Sequence, residues 1–140
     1  MEMKNFNMEF VQRTKEIVTT LCHDDFKYDV TLLLNCLLGL VSLPTERTAR
    51  EVDTFQTDCV KKLKDMGVVM KSTSDEQTFR TVKNALSHMY IEPCNEGGNV
   101  EQIILKDRRT RTAPVHTELK FSVENLKEFA LYVADKHLNR

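Results

Sequence analysis

The segment Lys83-Asn84-Ala85-Leu86-Ser87-His88-Met89-Tyr90 concentrates the residue types that can do acid–base chemistry on an anion. At about 100° per residue, a helix through it gathers Arg80, Lys83, Asn84, Ser87 and His88 into one arc. Phe79, Val82, Leu86 and Met89 fall on the opposite arc. A cation, an amide and an imidazole then point the same way. The cation can hold a phosphate oxygen while the imidazole gives or takes a proton near neutral pH, which makes RNA the obvious ligand. A solvated helix face explains the same spacing, because an amphipathic helix carries a polar arc whether or not anything binds there.

Five helices must position that arc. The first spans about Met8 to Lys27, with Phe10, Val11, Ile17, Val18 and Leu21 at helical spacing. The second spans about Tyr28 to Ser42 and is apolar nearly all round, which predicts the central, most buried helix, stopped by Pro44. A third covers about Ala49 to Met66, with Val52, Phe55, Val60 and Leu63 inward and Gly67 ending it. After the linker Lys71-Ser72-Thr73-Ser74, Ser74 and Gln77 form a capping-box arrangement for the fourth, which carries the polar arc and ends before Pro93.

The period changes beyond the turn cluster Asn95-Glu96-Gly97-Gly98-Asn99. Val100, Gln102, Ile104 and Lys106 alternate with Glu101, Ile103, Leu105 and Asp107, and a second extended run covers Val115 to Phe121. These two runs predict a β-hairpin with Arg108-Arg109-Thr110-Arg111-Thr112 at its tip. The last helix starts near Ser122 and runs toward Leu138, with Leu126, Phe129, Ala130 and Val133 on one side. The fold class is mainly α, a single domain over residues 1–140 with a β-hairpin inserted before the last helix.

The string Lys83-Asn84-x-x-x-His88, followed by x-Tyr90, is similar to the signature of HEPN domains (higher eukaryotes and prokaryotes nucleotide-binding). In that signature an arginine, a polar residue and three variable residues precede the histidine. The run Leu33-Leu34-Asn35-Cys36-Leu37-Leu38-Gly39-Leu40 through Leu43-Pro44-Thr45-Glu46-Arg47 adds to the likeness. So does Phe121-Ser122-Val123-Glu124-Asn125-Leu126-Lys127-Glu128-Phe129. Over most of its length the chain resembles a compact HEPN subfamily often encoded on plasmids or in defence islands. One residue departs from the pattern: Lys83 stands where the family has arginine. Lysine keeps the charge and loses the planar fork that grips phosphate through two bonds. Arg80, one turn earlier on the same face, is a candidate substitute.

The resemblance implies a metal-independent endoribonuclease of toxin or phage-defence type, without a cofactor. It also implies a homodimer whose two motifs face one cleft. Carried over residue by residue, His88 moves the proton of the ribose 2′-hydroxyl or the leaving 5′-oxygen, Lys83 stabilises the phosphorane, and Asn84 orients His88 or the phosphate. Tyr90 occupies the place at which toxins of HEPN–nucleotidyltransferase pairs are modified with adenylate, so a nucleotidyltransferase-type antitoxin or another defence partner is implied. A packed ring with a wet hydroxyl accounts for Tyr90 equally well. The alternative is a non-catalytic HEPN module for dimerisation or for binding RNA or protein. A structural subunit of a larger complex is a third reading.

Composition bounds these readings. A formal net charge of -1 argues against a protein coated in basic charge, so any RNA contact is local. Arg108, Arg109 and Arg111 are candidates for such contact, although a soluble hairpin tip has the same composition. Cys22, Cys36, Cys59 and Cys94 form no Cys-x-x-Cys pair and read as free thiols of a reducing cytoplasm, with Cys36 a small buried hydrophobe. No metal site is expected from them. His23, His116 and His137 are taken as structural or solvent-facing, Glu46 and Arg47 as a surface pair, and Asn35 as a buried amide needing a hydrogen bond. No glycine-rich phosphate loop, serine-hydrolase or zinc-protease motif is present. The N-terminus lacks the apolar core of a signal peptide, and the stretch from Val30 to Leu43 is too short for about 30 Å of hydrocarbon.

Overall fold

A computed structural model describes residues 6–21, 29–43, 48–71, 74–96, 99–108 and 117–139. The chain is mainly α, and the described residues form five helices and a four-stranded antiparallel sheet. Helices α1 (Phe6–Leu21), α2 (Asp29–Ser42) and α3 (Ala49–Asp65) come first. Strand β1 (Val69–Lys71) precedes α4 (Asp75–His88), and β2 (Ile91–Glu96), β3 (Asn99–Asp107) and β4 (Thr117–Ser122) lead into α5 (Val123–Leu138). The strand order is β1-β4-β3-β2.

Three helix starts are set by capping side chains, two of them, at Ser74 and Ser122, expected from the sequence. Thr48, Ser74 and Ser122 sit in extended conformations and accept hydrogen bonds from the backbone N–H of Glu51, Gln77 and Asn125. Helix α3 stops at Gly67, whose φ of 74° suits a residue without Cβ.

The core centres on α5, not on α2 as the leucine run predicts. Leu126, Phe129, Ala130, Val133 and Ala134 are all fully buried, and α5 packs against α1, α2, α3, β3 and β4. Helix α2 buries a stripe of Leu33, Cys36, Leu37, Leu40 and Val41, whereas Thr31, Asn35 and Ser42 are exposed. Asn35 therefore meets solvent rather than the buried partner expected of it. Burial pushes the Cys36 thiol above its ordinary pKa. His137 is structural: it is 1% exposed, its Nε2 lies 2.9 Å from the Leu40 carbonyl oxygen, and its ring centroid is 5.0 Å from that of Phe55.

The sheet is larger than a hairpin. Strands β3 and β4 pair antiparallel as the two extended runs suggest, with Leu105 opposite Leu119, but β1 and β2 flank them. Strand β1 takes Val69 and Met70, which fall in no element expected from the sequence, and Lys71 from the expected linker; three residues are too few to display a period of two. Strand β2 takes Pro93, which a helix interior would reject. As an edge strand it tolerates a residue with no N–H to donate. The expected continuation of α1 over residues 22–27, and Pro44, Glu46, Arg47, His23, Cys22 and His116, lie outside the described residues.

Alternation along β3 and β4 gives the sheet two unlike faces. Ile103, Leu105, Asp107, Thr117, Leu119 and Phe121 point inward and are buried, on the side where α4 and α5 pack. Thr81 of α4 and Thr117 of β4 share a buried hydrogen bond of 2.7 Å. Ile104, Lys106 and Glu118 are half-buried and Lys120 exposed on the outward face.

Two predictions follow from this packing. A Cβ on Gly39 would lie 2.9 Å from Cζ of Phe10, so Gly39→Ala must displace that ring. An overpacking cost of about 1–3 kcal/mol, offset by about 1 kcal/mol of helix propensity gained over glycine, leaves a net loss of up to about 2 kcal/mol expected in urea unfolding. The second concerns Lys136, whose pKa is raised above 10.5 first of all by its hydrogen bond to Asp58, at 2.6 Å. A raised lysine contributes stability below its unfolded pKa and loses it as pH climbs through the folded value. Wild-type stability should therefore fall in that alkaline window, and in a melting series against pH Asp58→Asn should make the decline shallower, leaving the part due to Tyr132, whose hydroxyl burial pushes up.

Candidate functional site

The polar arc of α4 is built as its sequence dictates. Thr78, Phe79, Thr81, Val82, Ala85 and Leu86 face inward and are buried. Arg80, Lys83, Ser87 and His88 are exposed and Asn84 is half-buried. Lys83 and His88 are five residues apart, about 7.5 Å along the axis. Both side chains are exposed, at the two edges of an arc about 140° wide.

Met89 departs from the helical wheel. It is the C-cap of α4, with φ 58° and ψ 36°, and its side chain is 67% exposed rather than packed with Leu86. A left-handed methionine is uncommon and costs of the order of 1 kcal/mol or more. The turn it makes ends the helix: the N–H groups of both Met89 and Tyr90 donate to the Ala85 carbonyl. The chain then enters β2, and the Lys106 N–H donates to the Tyr90 carbonyl at 2.9 Å. His88 is thus the last residue of the helix, and Tyr90 is already tied to the sheet.

That connection brings sequence-distant residues to the motif. The His88 and Tyr90 ring centroids are 5.7 Å apart, tilted by 32°. The Arg108 guanidinium carbon, just past β3, lies 5.5 Å from the Tyr90 centroid, a cation–π arrangement. Tyr90, Met89, Ile91, Glu92, Lys106 and Arg108 line a cavity of about 280 Å³. Lys106 forms a salt bridge with Glu92, and this hydrogen bond holds the Glu92 carboxyl below its ordinary pKa.

Of the residues expected to form a site, the structure therefore places Arg80, Lys83, Asn84 and His88 on one face of α4, with Tyr90 and Arg108 at its C-terminal end. Arg109 and Arg111 lie outside the described residues. Glu92 and Lys106 were not anticipated. The signal for Lys106 is its place in the Gln102, Ile104, Lys106 alternation, which continues to Arg108 on the same face. Glu92 gives no such signal, because its stretch reads as the end of a helix.

A family model described as HEPN pEK499 p136 matches residues 1–140. The chain belongs to this HEPN family. No curated protein and no solved structure matches it. Lys83, Asn84 and His88, the residues that resemble the HEPN signature, all lie on α4. No helix among the described residues is long and apolar enough to cross a membrane.

The strain at Met89 is directly measurable. Met89→Gly removes the Cβ clash of the left-handed conformation and, with the side chain mostly in water, forfeits little packing. A gain of up to about 1 kcal/mol in chemical denaturation is expected, and Met89→Val should instead destabilise the domain.

Proposed function

We propose that this HEPN module is a metal-independent endoribonuclease acting through a pair of α4 motifs in a homodimer. The observation that carries this reading is the solvent-exposed arc of Lys83, Ser87 and His88, with half-buried Asn84, ending beside Tyr90 and Arg108. RNA brings its own nucleophile. His88 takes the proton from the ribose 2′-hydroxyl, whose oxygen attacks the adjacent phosphorus, and the 5′-oxygen of the next nucleotide leaves with a proton. The second His88, from the other copy, supplies that proton. The products are a 2′,3′-cyclic phosphate and a free 5′-hydroxyl, with no metal required for the attack.

Lys83 places a positive charge near the pentavalent phosphorus, where charge accumulates in the transition state. Arg80, one turn before it and exposed, adds charge to the same face. Asn84 has an amide that can orient His88 or the phosphate. Arg108 contributes a guanidinium from the sheet side, reaching the motif across Tyr90. The Tyr90 hydroxyl is the acceptor for adenylate, should a nucleotidyltransferase antitoxin accompany this chain in a toxin or phage-defence pair.

The outward face of the sheet favours a second reading, in which the module binds RNA without cutting it. Tyr90, Lys106 and Arg108 lie together at its edge, and an aromatic group among cations is a binding platform for single strands with or without catalysis.

Cleavage of total RNA in excess EDTA separates the two. The nuclease reading expects fragments with cyclic phosphate ends, abolished by His88→Ala. Lys83→Ala should lower the rate by roughly 10²–10³-fold, and Lys83→Arg should match or exceed wild type. Binding that survives both alanine changes, with no cleavage by wild type, selects the non-catalytic module.

A further inference from the structure

We infer that the cavity beside Tyr90 is a guanine-binding subsite for single-stranded RNA, read by the Glu92–Lys106 pair. The inference rests on the proposal that this face takes RNA, and it adds which base is held and by what.

The cavity is formed where β2 and β3 leave the motif. Glu92 lies opposite Ile104 in the β2–β3 register, which makes Lys106 its diagonal neighbour on the same outward face. The two side chains meet at the cavity, with side-chain exposures of 53% for Glu92 and 22% for Lys106. A carboxylate and an ammonium are thus fixed side by side, the carboxylate as a two-oxygen acceptor and the ammonium as a donor.

This pairing selects for a neutral, hydrogen-bonding ligand. A phosphate would meet Lys106 and Arg108 favourably but would be repelled by ionised Glu92. A nucleobase carries no net charge and uses both groups. Guanine presents two parallel N–H donors on its Watson–Crick edge, N1–H and N2–H, matched by the two carboxylate oxygens of Glu92. Its O6, next in line, accepts from the Lys106 ammonium. Uracil has one ring N–H between two carbonyls, and adenine and cytosine each offer an amino group beside a ring acceptor, so each leaves part of this pair unmatched. The remaining lining suits a planar ring: Met89 and Ile91 are apolar, and the guanidinium of Arg108 can stack on a base. Met89 is held outward by its left-handed backbone, which gives the exposed thioether a place in the binding surface.

Tyr90 links the cavity to the motif, since its ring lies against both His88 and Arg108. A guanine seated here sits in a nucleotide close to the phosphate that His88 would act on.

The test uses the full chain and short oligouridylates with 2′-O-methyl riboses, which cannot be cut through the 2′-oxygen, bearing one central guanine, adenine, cytosine or hypoxanthine. Fluorescence anisotropy should show the guanine oligonucleotide binding roughly ten-fold or more tightly than the adenine and cytosine ones. Hypoxanthine, lacking the N2 amino group, should fall between. Glu92→Gln should bring guanine down to the level of adenine, and Lys106→Gln should weaken guanine binding and hypoxanthine binding together. Equal binding of all four bases, or a guanine preference that survives Glu92→Gln, overturns the inference while leaving the RNA reading intact. Failure of every oligonucleotide to bind overturns both. A guanine preference without cleavage of ordinary RNA supports the subsite and removes the nuclease.

Discussion

Removing one side of α5 from water organises this domain. Five of its side chains, Leu126, Phe129, Ala130, Val133 and Ala134, are fully buried, and each large apolar group so buried contributes about 1.5–3 kcal/mol. No single neighbour covers that much surface, so three helices close around α5 and strands β3 and β4 seal its remaining side. Phe121 at the end of β4 meets Phe129 with ring centroids 6.0 Å apart, joining the sheet to the helical core. The inward face of the sheet is thereby committed to apolar packing. Its outward face is mostly polar and charged, with Ile104 half-buried among Glu92, Lys106, Glu118 and Lys120.

Helix α4 packs on the same inward face, against β3 and β4, and this fixes where its chemistry can lie. Its buried side is used by Phe79, Val82, Ala85 and Leu86, which turns Arg80, Lys83, Ser87 and His88 to solvent. The abrupt end at Met89 matters as much as the helix. Had α4 continued toward Pro93, Tyr90 and Glu92 would ride on the helix, away from Lys106. The left-handed turn instead feeds Tyr90 into pairing with β3, and the helix motif and outward sheet face become one surface.

The site therefore combines contacts of two ranges. Lys83, Asn84 and His88 are placed by local helical geometry and would keep their spacing in any fold that preserved α4. Arg108, Lys106 and Glu92 reach the motif only through the β2–β3 pairing. The first group supplies charge and a proton-carrying ring to the proposed reaction. The second supplies the neighbouring surface on which a strand of RNA would be recognised.

The sequence by itself determined the helical class, the caps at Ser74 and Ser122, the inward alternation of β3 and β4, and the polar arc of α4. These depend on residues a few positions apart, where period and capping chemistry are legible. It also carried the family likeness through the motif around His88. Only the tertiary structure decided that α5 is the central helix, that Asn35 faces water, that Met89 points out, and that β1 and β2 complete the sheet. A three-residue strand shows no period, and an edge strand holding Pro93 looks like a helix stop. Both gain their stability from partners beyond the reach of any local pattern, Lys120 opposite Val69 and Leu105 opposite Ile91. The meeting of Tyr90 with Arg108 belongs to the same class of contact: non-local hydrogen bonding created it, and no local pattern in the chain encodes it.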